Sequence, residues 1–188
     1  IRYSAKNTSG WGANMFDGCK NLTGVKMNED GTPYIDETTG DYVYTLSLPD
    51  GANYFGTYTF KNTPIKALKF GAGLTQIGSN SSSATFTGTT GIFSGCTELE
   101  KVTFEGDNIQ LCGQVFKGCE KLATVVGLEK AKYIGKNAFE GTALTELTFE
   151  KDVEFGDSAF KDCESLTKVT FSDKQTAIGP SAFFSCDK

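Results

Sequence analysis

The apolar positions follow one template, F-x-x-C-x-x-L-x-x-V-x-F, complete from Phe93 through Cys96, Leu99 and Val102 to Phe104. Near copies run from Phe116 through Cys119, Leu122 and Val125, and from Phe160 through Cys163, Leu166, Val169 and Phe171. Phe16, Cys19, Leu22, Val25 and Met27 form an earlier copy, and Phe183 with Cys186 open one that stays unfinished. Two copies are one residue shorter and carry Thr for Cys: Phe60, Thr63, Ile65, Leu68, Phe70 and Phe139, Thr142, Leu144, Leu147, Phe149. The starts are 44, 33, 23, 23, 21 and 23 residues apart, a spacing that belongs to stacked repeats.

Val and Phe stand two apart, so an extended chain turns both to one side and the residues between them to the other. One unit cannot bury that side; stacked units can, as a parallel sheet with strands about 4.8 Å apart. Upstream of each Phe comes an apolar residue followed by Gly: Ile134-Gly135, Phe155-Gly156 and Ile178-Gly179, with looser cases at Trp11-Gly12 and Phe55-Gly56. Leu111 is followed by Cys112 where Gly is expected, and Ile77-Gly78 is separated from Phe93 by extra chain. Gly supplies a turn, and the Ala-Phe-x-x-Cys stretch predicts one or two helical turns with Phe inward. The fold class expected is an α/β solenoid: a right-handed repeat with a parallel sheet of short strands on one side and short helical turns on the other. It forms one domain over 1–188, with repeats starting near 11, 55, 77, 111, 134, 155 and 178.

Two insertions interrupt the period. The first, about 29–52, pairs Tyr34 and Ile35 with Tyr42 to Leu46 around a turn-rich Asp36 to Asp41, and predicts a β-hairpin. Asp30, Asp36, Glu37 and Asp41 lack the spacing of a calcium loop and suit turn chemistry better. The second, about 79–91, is rich in Ser and Thr and predicts a mobile surface loop unless Phe86 pins it. Asn80, Asn7 and Asn21 match glycosylation acceptors, but Asn21 lies inside the repeat, which shows how little the match means.

With the periodic residues assigned to the core, function falls to the outward column of the sheet. The candidate partner-binding residues are Lys26, Lys69, Lys101, Thr103, Glu105, Thr124, Val126, Glu146, Thr148, Glu150, Lys168 and Thr170. The column reads either as a solvated face or as a ligand surface of the kind solenoids present. Gly127 stands where the fourth unit should have Phe, so that strand is expected to shift and place Leu128 in the core.

Composition narrows the chemistry. The net charge of -5 with interspersed signs disfavours nucleic acid as a partner, and no apolar run approaches the roughly 20 residues of a membrane span. Five of the six cysteines share a template position that also accepts Thr, which predicts small buried unpaired thiols in place of disulfides. Without His, Ser-His and Cys-His nucleophile pairs are excluded, and no metal or cofactor site is expected. Glu146 and Glu150 could exchange protons, yet nothing in the sequence desolvates them, so no catalytic residue is expected. The sequence begins with Ile and shows no leader, so it reads as a processed protein or an excised fragment.

The alternation of I-G-x-x-A-F-x-x-C-x-x-L with L-x-x-V-x-F, over roughly 11–188 apart from the insertions, resembles the BspA-like class of leucine-rich repeats. The resemblance implies a non-enzymatic protein-binding or adhesion module of a secreted or cell-surface protein, bacterial in type. Its partners would be an extracellular or host protein or a surface polysaccharide. The alternative it implies is a structural spacer or accessory module within a longer surface protein. The last unit leaves an uncapped end strand, which offers a route to self-association.

Overall fold

A computed structural model describes residues 12–46, 48, 55–74, 76–78, 90–175 and 177–186. Trp11, Phe86 and most of the Ser/Thr-rich insertion lie outside the described residues. Each regular coil carries two short strands. Along the chain they are β1 (Ala67–Phe70), β2 (Gln76–Ile77), β3 (Lys101–Phe104), β4 (Gln110–Leu111), β5 (Thr124–Val126), β6 (Tyr133–Ile134), β7 (Glu146–Thr148), β8 (Glu154–Phe155) and β9 (Lys168–Thr170). All the strand pairs are parallel, in the orders β1-β3-β5 and β7-β9 for the ribbon and β2-β4-β6-β8 for a second sheet. The Ile-Gly segments are therefore strands, where the sequence suggested a sheet on one side only.

The expected helical turns are absent among the described residues; the one helix is a 3-10 turn at Leu128–Lys130. Backbone geometry gives the reason. In every coil the residues two before and two after the template Phe have positive φ, as at Asn137 and Gly141, or Ser158 and Asp162. A left-handed residue every fourth position breaks any α-helix. The amide groups bond instead to the next coil: Asn137 N to Asp157 O at 3.0 Å, Phe139 N to Ala159 O at 2.8 Å and Gly141 N to Lys161 O at 2.9 Å. The same three-bond set recurs from Gln114, Phe116 and Gly118 to Lys136, Ala138 and Glu140.

Inside, Phe16, Phe60, Phe93, Phe116, Phe139, Phe160 and Phe183 form one continuous stack with ring centroids 5.1 to 5.5 Å apart. A second stack under the ribbon pairs Phe70 with Phe104 and Phe149 with Phe171. Between those pairs the fourth unit has Gly127 in the left-handed region, close against the Phe104 carbonyl, and buried Leu128 takes the core position. Val102 and Leu147 are buried, and Val125 and Val169 pack half-buried against the core.

The Cys and Thr interchange also has a local cause. Cys96, Cys119, Cys163 and Cys186 each donate a thiol hydrogen bond to the Phe carbonyl of the coil before, at 3.1 to 3.2 Å. Thr63 and Thr142 donate to the Phe carbonyl of their own coil at 2.8 and 3.0 Å. None of the six cysteines is in a disulfide; four are buried, while Cys19 is exposed. Burial holds the Cys119 thiol well above its ordinary pKa and pushes Cys96 up to about 11, so neither is a reactive thiolate.

The first insertion departs from expectation. The chain leaves the ribbon at Gly24 and re-enters at Leu46 and Leu48, whose parallel bridge to Phe70 gives Leu48 the template Phe position. Val25 and Met27, assigned to the ribbon from the template, are bridged within the insertion instead, to Tyr44 and Pro33. Three extended pieces there are bridged antiparallel to one another, Val25 to Tyr44, Met27 to Pro33 and Ile35 to Tyr42. Asp36 N bonds to Asp41 O across the expected turn at 2.9 Å.

On the coil surface Glu98 accepts from Lys121 at 2.8 Å and pairs with Lys66. Hydrogen bonds from Lys121, then Lys66, hold its carboxyl down at about 2. A depressed carboxyl stabilises the fold above its unfolded value near 4.5 and loses that contribution as pH falls through about 2. In thermal melts between pH 5 and pH 2, Glu98→Gln is expected to show a shallower fall of Tm than the parent chain. Parallel profiles would mean that Glu98 does not link proton binding to stability.

Candidate functional site

The outward face of the ribbon divides into a covered half and an open half. Alternation on β3 sends Val102 and Phe104 into the core and leaves Lys101 and Thr103 facing outward, and the insertion lies on them. Asp41 Oδ1 accepts from Lys101 Nζ at 3.0 Å, and the Tyr42 hydroxyl donates to Glu100 Oε2 at 3.0 Å. Burial opposes ionisation of Asp41, yet the bonds from Lys101 and the Tyr42 amide prevail, and its carboxyl titrates below the usual range. Burial, then the Glu100 carboxylate, pushes the Tyr42 phenol up to about 12, and burial with Asp41 raises that of Tyr44. The Tyr42 and Tyr44 rings meet edge to face at 6.4 Å. Lys101 and Thr103 are half-buried, and Ala67, an outward position on β1, is fully buried.

The twelve sequence candidates therefore separate. Lys26 is not on the ribbon at all, because its strand left with the insertion, and its amine sits over the Tyr34 ring at 3.9 Å. Lys69 and Glu105, both exposed, are engaged with each other at 2.6 Å. Thr124, Val126, Glu146, Thr148, Glu150, Lys168 and Thr170 are exposed, and Val126 is an apolar side chain left 46% open to solvent. Sequence reasoning did not find Asp41, Tyr42 and Tyr44 as residues that cover the face. The alternation of Tyr42 and Tyr44 marks a half-buried strand but not what it lies on.

The open half is also where the ribbon is interrupted. Ala123 N bonds to Glu100 O at 3.2 Å and Thr167 N to Thr145 O at 2.8 Å, but among the described residues no backbone pair joins β5 to β7. Bonding resumes only at Glu150 N to Glu129 O, 3.0 Å. The left-handed Gly127 and the 3-10 turn after it divert the chain there. The Phe116 and Phe139 rings of these two coils tilt by 23°, the widest step of the stack. The surface hollows include one of about 470 Å³ beside Phe16, Cys19 and Leu22 at the first coil and one of about 540 Å³ beside Tyr133, Phe155 and Ile178. Among the described residues no three metal-binding side chains gather, and no helix is long and apolar enough to cross a membrane.

The chain is similar to a leucine-rich repeat protein from Bacteroides ovatus, at 21% identity over 93% of this chain and 61% of that one, with a TM-score of 0.41. It is also similar to a leucine rich cell surface protein from Faecalibacterium prausnitzii, at 19% identity over 94% and 60%, with a TM-score of 0.43. The chain thus spans about three fifths of the length of either structure. No curated protein matches it. The sequence matches the BspA type leucine rich repeat region (6 copies) over residues 4–87 and 89–188, and the chain belongs to that family.

Proposed function

We propose that this chain is a non-enzymatic binding or adhesion module of a secreted or cell-surface protein, meeting a protein partner through the open half of its strand ribbon. The exposed side chains on β5, β7 and β9 carry the reading, with Val126 left open among them. An exposed aliphatic group on a rigid sheet offers a partner apolar area to bury. The family membership supports a repeat scaffold whose periodic residues serve packing, which leaves the outward column for recognition.

Surface plasmon resonance against a panel of immobilised extracellular matrix proteins and surface polysaccharides tests this. Thr148→Arg is expected to weaken binding to the recognised member at least tenfold, while Lys136→Glu, off the ribbon, leaves it unchanged. Equal affinities for the parent and Thr148→Arg would show that the ribbon is not the site. A spacer role is the second reading, favoured by the unbroken ring stack from Phe16 to Phe183. It predicts that no member of the panel binds.

A further inference from the structure

The insertion seated on β3 meets the ribbon through side chains, Asp41 to Lys101 on the strand and Tyr42 to Glu100 just before it. The next positions along the face continue that surface, with no occupant among the described residues. Val126 lies in register beside Thr103, exposed, and beyond it β5 and β7 each present an edge that no strand among the described residues pairs. An unpaired strand edge beside an aliphatic side chain suits main-chain bonding with alternate side chains turned inward.

Carboxylates gather at this break, with Lys151 and Lys168 at its border. Glu129, Glu146 and Glu150 have no ion-pair partner among the described residues, while the nearby Lys130 is engaged with Asp107 at 3.2 Å. Lys168, in register with Glu146 on the following strand, ends the acidic stretch. We propose that the break, Thr124 to Val126 with Glu146 to Glu150, docks an extended polypeptide segment that alternates aliphatic and basic side chains. An aliphatic group covers Val126, and a lysine or arginine answers Glu146 and Glu150. This rests on the reading of the open ribbon as the binding face.

Fluorescence anisotropy with a labelled twelve-residue peptide of alternating Leu and Lys tests it, against Leu/Glu and Ser/Lys peptides of the same length. The Leu/Lys peptide is expected to bind at least tenfold more tightly than either. Val126→Glu and Glu146→Lys, both at exposed positions, should each weaken it at least tenfold with unchanged circular dichroism, and Lys136→Glu should not. Hydrogen exchange should show protection at 124–127 and 145–150. Absence of binding, equal binding of the Ser/Lys peptide, or indifference to both ribbon variants overturns the proposal. Protection confined to β9 overturns it while leaving the ribbon as the binding face; protection off the ribbon removes both. Occupation of the break by a sulfated polysaccharide, with no peptide competing, also overturns it.

Discussion

Phe93→Ala is expected to lower the stability of the fold by about 3–5 kcal/mol, the range for truncating a fully buried aromatic ring. For a chain of this size that is a fall in Tm of roughly 6–20 °C. The Phe93 ring is wholly buried and stacks on Phe60 at 5.1 Å and on Phe116 at 5.5 Å, with the edge of Phe70 at 6.1 Å and the tilted Phe55 at 6.5 Å. Its backbone cannot collapse into the space left behind. Phe93 N donates to Val115 O at 2.9 Å, and Phe93 O accepts the Cys119 thiol at 3.2 Å. A cavity that cannot close keeps its full cost. Phe184→Ala is the control, the same deletion at an exposed site, and should cost less than about 0.5 kcal/mol. Urea and thermal denaturation of the two variants measure the difference. A loss within about 1 kcal/mol of the control would show that the ring stack does not hold the coils together.

The stack was legible in the sequence because its cause is periodic: one Phe per coil, followed three positions on by a Cys or Thr that repeats with it. The side of the coil that carries the Phe was not. Ala-Phe-x-x-Cys has the spacing of an inward helical face, and local pattern alone favours a helix there. What decides otherwise is long-range, since the amides of Gln114, Phe116 and Gly118 bond to carbonyls of the next coil about 22 residues on. The second sheet was missed because a pair such as Gln110-Leu111 is too short to show alternation.

The candidate site divides in the same way. That outward residues alternate with Val102, Leu147 and Val169 follows from the strand period alone. Which of them are free does not, since Lys101 is occupied by Asp41, sixty positions away in the chain. Val25-x-Met27 matched the ribbon template at the right distance from Phe16, and nothing local distinguished it from Leu46-x-Leu48. Only pairing with β1 decided between them, and Lys26 left the ribbon with the rejected segment. The irregular fourth unit was visible through Gly127, whose lack of a side chain lets the chain press on the Phe104 carbonyl. Its consequence, a ribbon open between two strands, depends on how the following coil sits.

Gly135→Ala is expected to destabilise by at least the 1–3 kcal/mol usual for overpacking, with the damage centred on that same junction. A Cβ there would stand 2.6 Å from Gly113 N, 2.7 Å from Cys112 C and 2.8 Å from Leu111 O, all backbone atoms of the coil before. No rotamer can relieve the contact, so the two coils must part. These are the coils whose ribbon strands, β5 and β7, are not paired with each other. They are held by the second sheet, the bonds from Gln114, Phe116 and Gly118, and the tilted Phe116 and Phe139 pair. Cys112 shows the condition under which a side chain fits at this point of a coil. Its thiol lies against Gly78, where any Cβ would collide with it. Gly135 faces main chain that no neighbouring substitution can withdraw. Hydrogen exchange of Gly135→Ala should therefore speed up at the amides of 114–118 before those of 158–162, and Tm should fall with it. Among the described residues Gly12→Ala meets only Met15 Cε at 3.5 Å and should change neither. If Gly135→Ala melts with the parent chain, the close approach of the coils does not require glycine there, and the junction is looser than its backbone contacts indicate.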